Sequence, residues 1–363
     1  MHITTNTKEL KNILDIVSKI STKHVTLPVL QCVLLEAKNN ILSIQATNLE
    51  IGIEGTIPVT MEEEGVIAIP AQVLLQTISL ITQSTVTLIT EGDILQVESS
   101  SSKTEIKSIA AVDFPKIPRI TGEALSINGS LFALGIKTTA GTASQSSIKP
   151  ELGSVYIYQK KEQSLTFVTT DSFRLMEKTV PMKNMILAES ILIPYKNALE
   201  LARVAEENEG EMELYINENQ CALVSKNIYI TSRLISGSFP DYEQIIPKEY
   251  TTTVTLLTGD LAQALRKTNI FLNKFMQLTV TISGGTFTLS AQSGEAGSTT
   301  ESIQAQVEGE DVRLNFNQRY VSEVMGHIQD DSIKIKCAGI GRPMVMSNVH
   351  DVSLRYLVMP MNK

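Results

Sequence analysis

Two residue pairs in the chain have the types that acid–base chemistry uses: Asp171 with Arg174, in the run Thr169-Thr170-Asp171-Ser172-Phe173-Arg174-Leu175, and His350 with Asp351. A general base needs a positioned partner and a pocket, and neither pair comes with a nucleophile or a metal motif. The four histidines, His2, His24, His327 and His350, form no HxH or HExxH array. Cys32, Cys221 and Cys337 are far apart and lack CxxC spacing, so they read as small buried apolar residues rather than redox groups or ligands. The run Ala338–Pro343 holds a Gly-x-Gly with no helical pattern after it, which suits a hairpin turn better than a phosphate loop. A non-catalytic protein with no cofactor and no metal is the expectation.

Charge placement says more. Lys8, Lys11, Asp15 and Lys19 fall on one stripe of a helical pattern, because steps of three or four residues return to the same side. Lys196, Glu200 and Arg203 do the same in a second pattern; Arg266 with Lys267, Arg319, and Lys137 occupy three more, while a sixth carries only Gln72, Gln76 and Ser79. For any single helix a solvated face explains this. Yet the chain carries a net charge of −8, so basic helix faces imply segregated charge, as suits a polyanion that is touched lightly.

The elements that carry these stripes repeat. Each third opens with an alternating strand followed by a helical pattern: His2–Ile20, Ala124–Ser144 and Thr252–Phe271. In the first, Leu10, Ile13, Val17 and Ile20 form the apolar face, with Asn6 or Thr7 as cap; in the third, Leu261, Ala264, Leu265 and Thr268 do so. A second strand-to-helix junction recurs at Val66–Ile81, Ser190–Ala205 and Arg313–Ile328. There Pro70 and Pro194 suit a first helical turn and Asn317 suits a cap. Hairpin patterns around Gly92-Asp93 and Gly284-Gly285 fill the intervals. Phe114-Pro115 and Phe239-Pro240, then Met359-Pro360, recur at a spacing near 120 residues and are expected where the last strand of each unit stops.

The 363 residues, 42% apolar and 19% charged, exceed one core and fit three units. The expected fold is α+β: three tandem copies of a two-helix, antiparallel-sheet domain, divided at 1–121, 122–248 and 249–363. No run of 18 apolar residues occurs and the first residues lack a signal-peptide pattern, so a soluble, cytoplasmic protein with no membrane partner is expected. An enzyme is one rival reading. A β-rich structural repeat protein with no DNA role is another, and it would call for secretion signals or disulfides.

With this repeat, and with Val25–Leu30 (VTLPVL), Thr169–Leu175 (TTDSFRL), Ser238–Pro247 (SFPDYEQIIP) and Tyr356–Met361 (YLVMPM) in order, the chain resembles the bacterial DNA polymerase sliding clamp family over its full length. The resemblance implies a head-to-tail homodimer, a six-domain ring with the DNA clamp fold, its helices lining a hole for duplex DNA. It implies as partners the replicative polymerase catalytic subunit, a clamp loader, and other proteins with a short clamp-binding peptide. It maps DNA-facing positions onto Lys196, Lys274 beside Phe275, Lys149, and Lys23 with His24. The family often has arginine near the last pair, and Gln72 replaces a usual basic residue. A peptide pocket is implied at Leu152, Thr170, Ser172, Phe173, Arg174, Leu175, Pro240, Ile245, Leu357, Met359, Pro360 and Met361. Ser172-Phe173 departs from the family's Gly-His, and an apolar tail so near the terminus should fray unless it docks. Dimerisation through edge strands is implied, with Ile270, Phe271 and Leu272 as the third-domain candidates.

Overall fold

The computed structural model describes residues 1–21, 27–146, 148–183, 185–208 and 210–361. Lys23, His24 and Val25 lie outside them. The first third runs β1 (His2–Asn6), α1 (Thr7–Ser18), β2 (Cys32–Lys38), β3 (Ile41–Thr47), β4 (Ile51–Pro58), β5 (Thr60–Glu63), β6 (Gly65–Pro70), α2 (Ala71–Ser79), β7 (Thr85–Glu91), β8 (Ile94–Glu98) and β9 (Lys103–Lys107). The middle third repeats this, without a fifth-strand equivalent among the described residues: β10 (Leu125–Asn128), α3 (Gly129–Thr139), β11 (Ser154–Tyr158), β12 (Ser164–Thr170), β13 (Arg174–Pro181), β14 (Ile191–Pro194), α4 (Tyr195–Glu207), β15 (Glu211–Ile216), β16 (Gln220–Val224) and β17 (Ile228–Arg233). The last third restores it: β18 (Thr252–Leu257), α5 (Thr258–Thr268), β19 (Gln277–Ser283), β20 (Thr286–Ser293), β21 (Gly297–Gln304), β22 (Gln306–Gly309), β23 (Val312–Asn317), α6 (Gln318–Glu323), β24 (Ser332–Cys337), β25 (Met344–Asn348) and β26 (Leu354–Val358).

Local chemistry accounts for the boundaries. The Asn6 carboxamide accepts from Lys8 N and Glu9 N, satisfying two orphan amides of α1, and Asn317 accepts from Arg319 N at α6. α1 buries Leu10, Ile13, Leu14 and Val17; α5 buries Leu261, Ala264, Leu265 and Thr268. Two expectations shift. Pro70 and Pro194 close the strands β6 and β14 instead of entering the helices, since extended backbone suits proline equally well at a strand end. The Phe-Pro pairs lie beyond the last strands, which stop at Lys107 and Arg233. Phe114 follows a 3-10 turn (Ala111–Asp113) and Phe239 precedes another (Tyr242–Ile245), so both mark connecting segments.

The strands form four antiparallel sheets, ordered β5-β1-β7-β8-β9, β10-β15-β16-β17-β4-β3-β2-β6, β14-β11-β12-β13-β26-β25-β24-β18-β22 and β21-β20-β19-β23. Each large sheet is thus built from two neighbouring thirds, joined by β17 against β4 in one and β26 against β13 in the other. Compactness follows these shared sheets, giving two units, Met1–Ala133 with Lys196–Leu234 and Leu134–Tyr195 with Ile235–Lys363. Cys32, Cys221 and Cys337 are buried, and burial pushes their thiols up to about 11, about 12 and about 12 respectively.

Candidate peptide pocket and basic helix faces

The loop between β12 and β13 is set by two side chains. Asp171 Oδ1 accepts from Phe173 N (2.9 Å) and Arg174 N (3.0 Å), while Thr170 Oγ1 accepts from Ser172 N (3.1 Å) and donates to Arg174 O (2.7 Å). This side-chain-to-backbone pattern makes a tight reversal without glycine. It forces Ser172 to φ +77°, the left-handed region that glycine enters without a Cβ penalty.

Arg174 is a tie within this unit. Its side chain is 12% exposed; Nε donates to Asp171 Oδ2 (2.9 Å), Nη1 pairs with Glu323 of α6, and the guanidinium lies 4.7 Å above the Tyr320 ring. Tyr356 O–H donates to Tyr320 O (2.8 Å), and burial pushes this phenol's pKa up. The Asp171–Arg174 pair thus serves architecture, shaping the loop and tying it to α6. At the other pair, the backbone N–H of His350 donates to Asp330 Oδ2 (2.7 Å), while Asp351 Oδ2 binds Lys178 Nζ (3.1 Å).

The chain's end docks beside this loop. Met359 N donates to Phe173 O (2.8 Å), continuing the line of β26 along β13, and Met361 N donates to Asn315 O of β23 (2.7 Å). Leu175, Leu357 and Met359 share one apolar cluster with Val168, Val345 and Tyr242. Phe239 stacks on Tyr156 (4.8 Å between centroids), and Tyr242 meets Phe239 edge-on (6.2 Å). Tyr242 O–H donates to the buried Glu177 carboxylate (2.5 Å) and so receives its own bond from Tyr158 O–H (2.7 Å). Desolvation pushes both phenols up, Glu177 adding to the effect at Tyr242.

Of the expected pocket residues, Pro240 and Ile245 flank the 3-10 turn held by Tyr242 and are exposed, as is the Phe173 ring at 60%; Thr170 is buried within the loop. Pro360 and Met361 are half-buried, and Leu152 is buried outside the cluster. Tyr156, Phe239, Tyr242 and Glu323 were missed as participants. The strand Ser154–Tyr158, with Tyr156 and Tyr158 on alternate positions, carried a faint signal for the first of these.

Among the basic positions, Lys8, Lys11, Lys19, Lys137, Lys149, Lys196, Arg266, Lys267, Lys274 and Arg319 are exposed. Lys19 pairs with Asp15 (3.1 Å), Lys267 with Glu301 (2.8 Å), and Lys274 Nζ sits 5.1 Å over Phe275. Arg266 and Arg319 border one groove of about 560 Å³. Arg203 departs from the expectation of an outward cation: it is 18% exposed, bound to Glu200 (2.9 Å) and Glu207 (3.4 Å), and Nη2 donates to Ile16 O (2.9 Å). Ile270, Phe271 and Leu272, the candidate interface residues of the last third, lie outside any strand. A 3-10 turn (Asn269–Phe271) and the residue after it hold them beside β20 and β21, with Ile270 67% exposed.

Three tandem two-helix units sharing continuous sheets, with a docked apolar tail, define a clamp-fold protein. Three family models match in succession: the N-terminal domain of the DNA polymerase III beta subunit over residues 1–118, its central domain over 126–241 and its C-terminal domain over 243–362. The chain belongs to the DNA polymerase III beta subunit family, the beta sliding clamps. It is 27% identical over 343 residues to the beta sliding clamp of Vibrio cholerae (93% of each chain) and 28% over 371 residues to that of Synechococcus elongatus (99% of each). The crystal structure of the Pseudomonas aeruginosa DNA polymerase sliding clamp superimposes with a TM-score of 0.93 at 25% identity over 100% of both chains. A second Pseudomonas structure, bound to griselimycin, gives 0.94.

Proposed function

We propose that two copies of this chain close head to tail into a ring around duplex DNA. As a processivity clamp, this ring holds a DNA polymerase on its template without reading sequence. One observation carries the ring. Topologically, β9, β17 and β26 occupy equivalent places in the three thirds, as do β4, β13 and β21. Within the chain β17 pairs with β4 and β26 with β13, which leaves β9 and β21 as unpaired edges of a five-stranded and a four-stranded sheet. The same join made between protomers completes a nine-stranded sheet and removes both edges. Ile270, Phe271 and Leu272, beside β21, flank that join. The repeat also supports division into domains 1–121, 122–248 and 249–363.

Scattered cations on the helices then meet phosphates, which position DNA without base information, and their sparseness keeps sliding easy. Lys8, Lys11, Lys196, Arg266 and Arg319 are the strongest candidates. The chain supplies tethering and no catalysis, acts in the cytoplasm, and is opened by a clamp loader. The replicative polymerase catalytic subunit and other partners insert short apolar peptide anchors at Leu175, Leu357, Met359 and Pro240, where adaptable apolar side chains suit such anchors. The test is retention: circular DNA loaded with the protein holds it far longer than the same DNA after linearisation. Equal retention on both would indicate adhesive binding and overturn the ring.

A further inference from the structure

The loop that anchors the peptide pocket has a twin in the other unit. Between β3 and β4, Asn48 Oδ1 accepts from Glu50 N (3.0 Å) and Ile51 N (3.0 Å), as Asp171 does from Phe173 and Arg174. Thr47 Oγ1 accepts from Leu49 N (3.1 Å) and donates to Ile51 O (2.9 Å), as Thr170 does. Leu49 stands at φ +78°, beside +77° at Ser172. Arg233 N, just past the pairing of β17 with β4, donates to Glu50 O (2.9 Å), the bond that Met359 N makes to Phe173 O. The connecting segment after Phe114-Pro115 borders this loop, as the segment containing Phe239-Pro240 borders the other. Five hydrogen bonds and a strained residue are thus reproduced, although the two pentapeptides share only their threonine.

The surroundings differ. A pocket of about 210 Å³ opens at the first loop, with Leu49, Pro115 and Pro118 as apolar walls and Gln220, Lys116 and Arg233 as polar ones. Lys116 and Arg233 are exposed and have no ion-pair partner among the described residues; the exposed carboxylate of Glu50 is the one acid in the lining. This volume lies below the roughly 300–1,000 Å³ of clefts that enclose drug-sized ligands, which leaves room for a side chain or two of an extended segment. Two unpaired cations against one carboxylate favour an anionic guest.

We infer that this pocket is a second recognition site, which takes a short extended peptide bearing an acidic side chain between apolar ones. The apolar neighbours of the acid lie on Leu49 and the two prolines, while its carboxylate meets Lys116 and Arg233. That the guest is a peptide rests on the reading of the Thr170–Arg174 pocket as a peptide site. The cavity and its charges do not.

The test uses the full chain with isoleucine and methionine methyl labels and two probes, N-acetyl-Leu-Asp-Leu-amide and its Asn counterpart. The expected result is a saturable shift of the methyls of Ile51, in the lining, and of Ile117, which packs against Gly52 of the lining, with the Asp probe binding about fivefold tighter than the Asn probe. Lys116→Gln with Arg233→Gln should remove that preference, and Glu50→Gln should strengthen binding; all three residues are exposed, so the variants keep the fold. Unmoved Ile51 and Ile117 methyls up to the probe's solubility limit would overturn the inference. So would equal affinity for both probes, or a preference that survives neutralisation of the two cations. Shifts confined to the Met359 methyl would overturn it while leaving the apolar pocket standing. Conversely, shifts at Ile51 in a protein that ignores polymerase-derived peptides would keep the second site and sink the first.

Discussion

The loops Thr47–Ile51 and Thr170–Arg174 have nearly the same backbone and almost no side chains in common, and the contrast separates what builds a reversal from what uses it. A threonine followed by Asn or Asp suffices for the backbone, because one hydroxyl and one side-chain oxygen satisfy three amides. Everything else is free to diverge. Ile51 is buried among apolar residues where Arg174 spans two carboxylates, and Arg233 stands where Met359 does. Asn48 cannot offer the charge that Asp171 gives Arg174, so the second loop is the more heavily braced.

The heaviest blow to that symmetry is Asp171→Ala. It deprives two backbone amides of their acceptor and a half-buried guanidinium of one carboxylate, at a cost of about 3–4 kcal/mol. Asn48→Ala loses only the amide caps, about 1–2 kcal/mol. Urea titrations followed by circular dichroism compare the two, and equal losses would mean that the Arg174 tie contributes nothing. A smaller difference concerns the tyrosines behind each loop. Tyr242 donates to a carboxylate, whereas Tyr229 O–H donates to the Pro118 carbonyl (2.9 Å). Tyr242→Phe should cost about 1–3 kcal/mol, because the buried Glu177 carboxylate loses its short hydrogen bond and keeps only the longer pairs to Arg355 (3.6 Å) and Lys160 (4.0 Å). Because folding raises the pKa of Tyr158 and Tyr242 above the ordinary value of 10.0, their contribution is fully present below that pH. It is lost as pH rises through the folded values. Stability should therefore fall above about pH 10 in the parent, and less steeply in Tyr242→Phe. The smallest effect is shared: Ser172→Gly and Leu49→Gly each relieve a positive φ, and each should raise the unfolding free energy by up to about 1 kcal/mol, read as a higher urea midpoint. A loss at either position would show that its side chain makes compensating contacts.

Local signals were legible in the sequence and long-range ones were not. Helical spacing located the buried faces of α1 and α5, Asn6 and Asn317 announced the caps of α1 and α6, and Gly284-Gly285 announced its hairpin, with φ of +58° and +78°. The docked tail followed from an apolar end that had to bury itself. No local pattern reveals that β17 pairs with β4 or that β26 pairs with β13, since an edge strand and a paired strand alternate alike. Likewise, nothing local reveals that the turn holding Ile270–Leu272 lies beside β21. Arg203 sat on the expected stripe, but its reach to Ile16 O depends on a partner distant in sequence. The family likeness named Arg174 as pocket lining; only the fold brings Glu323 and Tyr320 around it.

The three buried thiols have a practical corollary. With their acidities suppressed to about 11–12, only about one molecule in 10⁴ or fewer would present a thiolate at neutral pH, and the thiolate is the form that alkylating reagents attack. A single cysteine engineered on an exposed loop should therefore accept a maleimide dye selectively, leaving the native sulfurs in place and unlabelled.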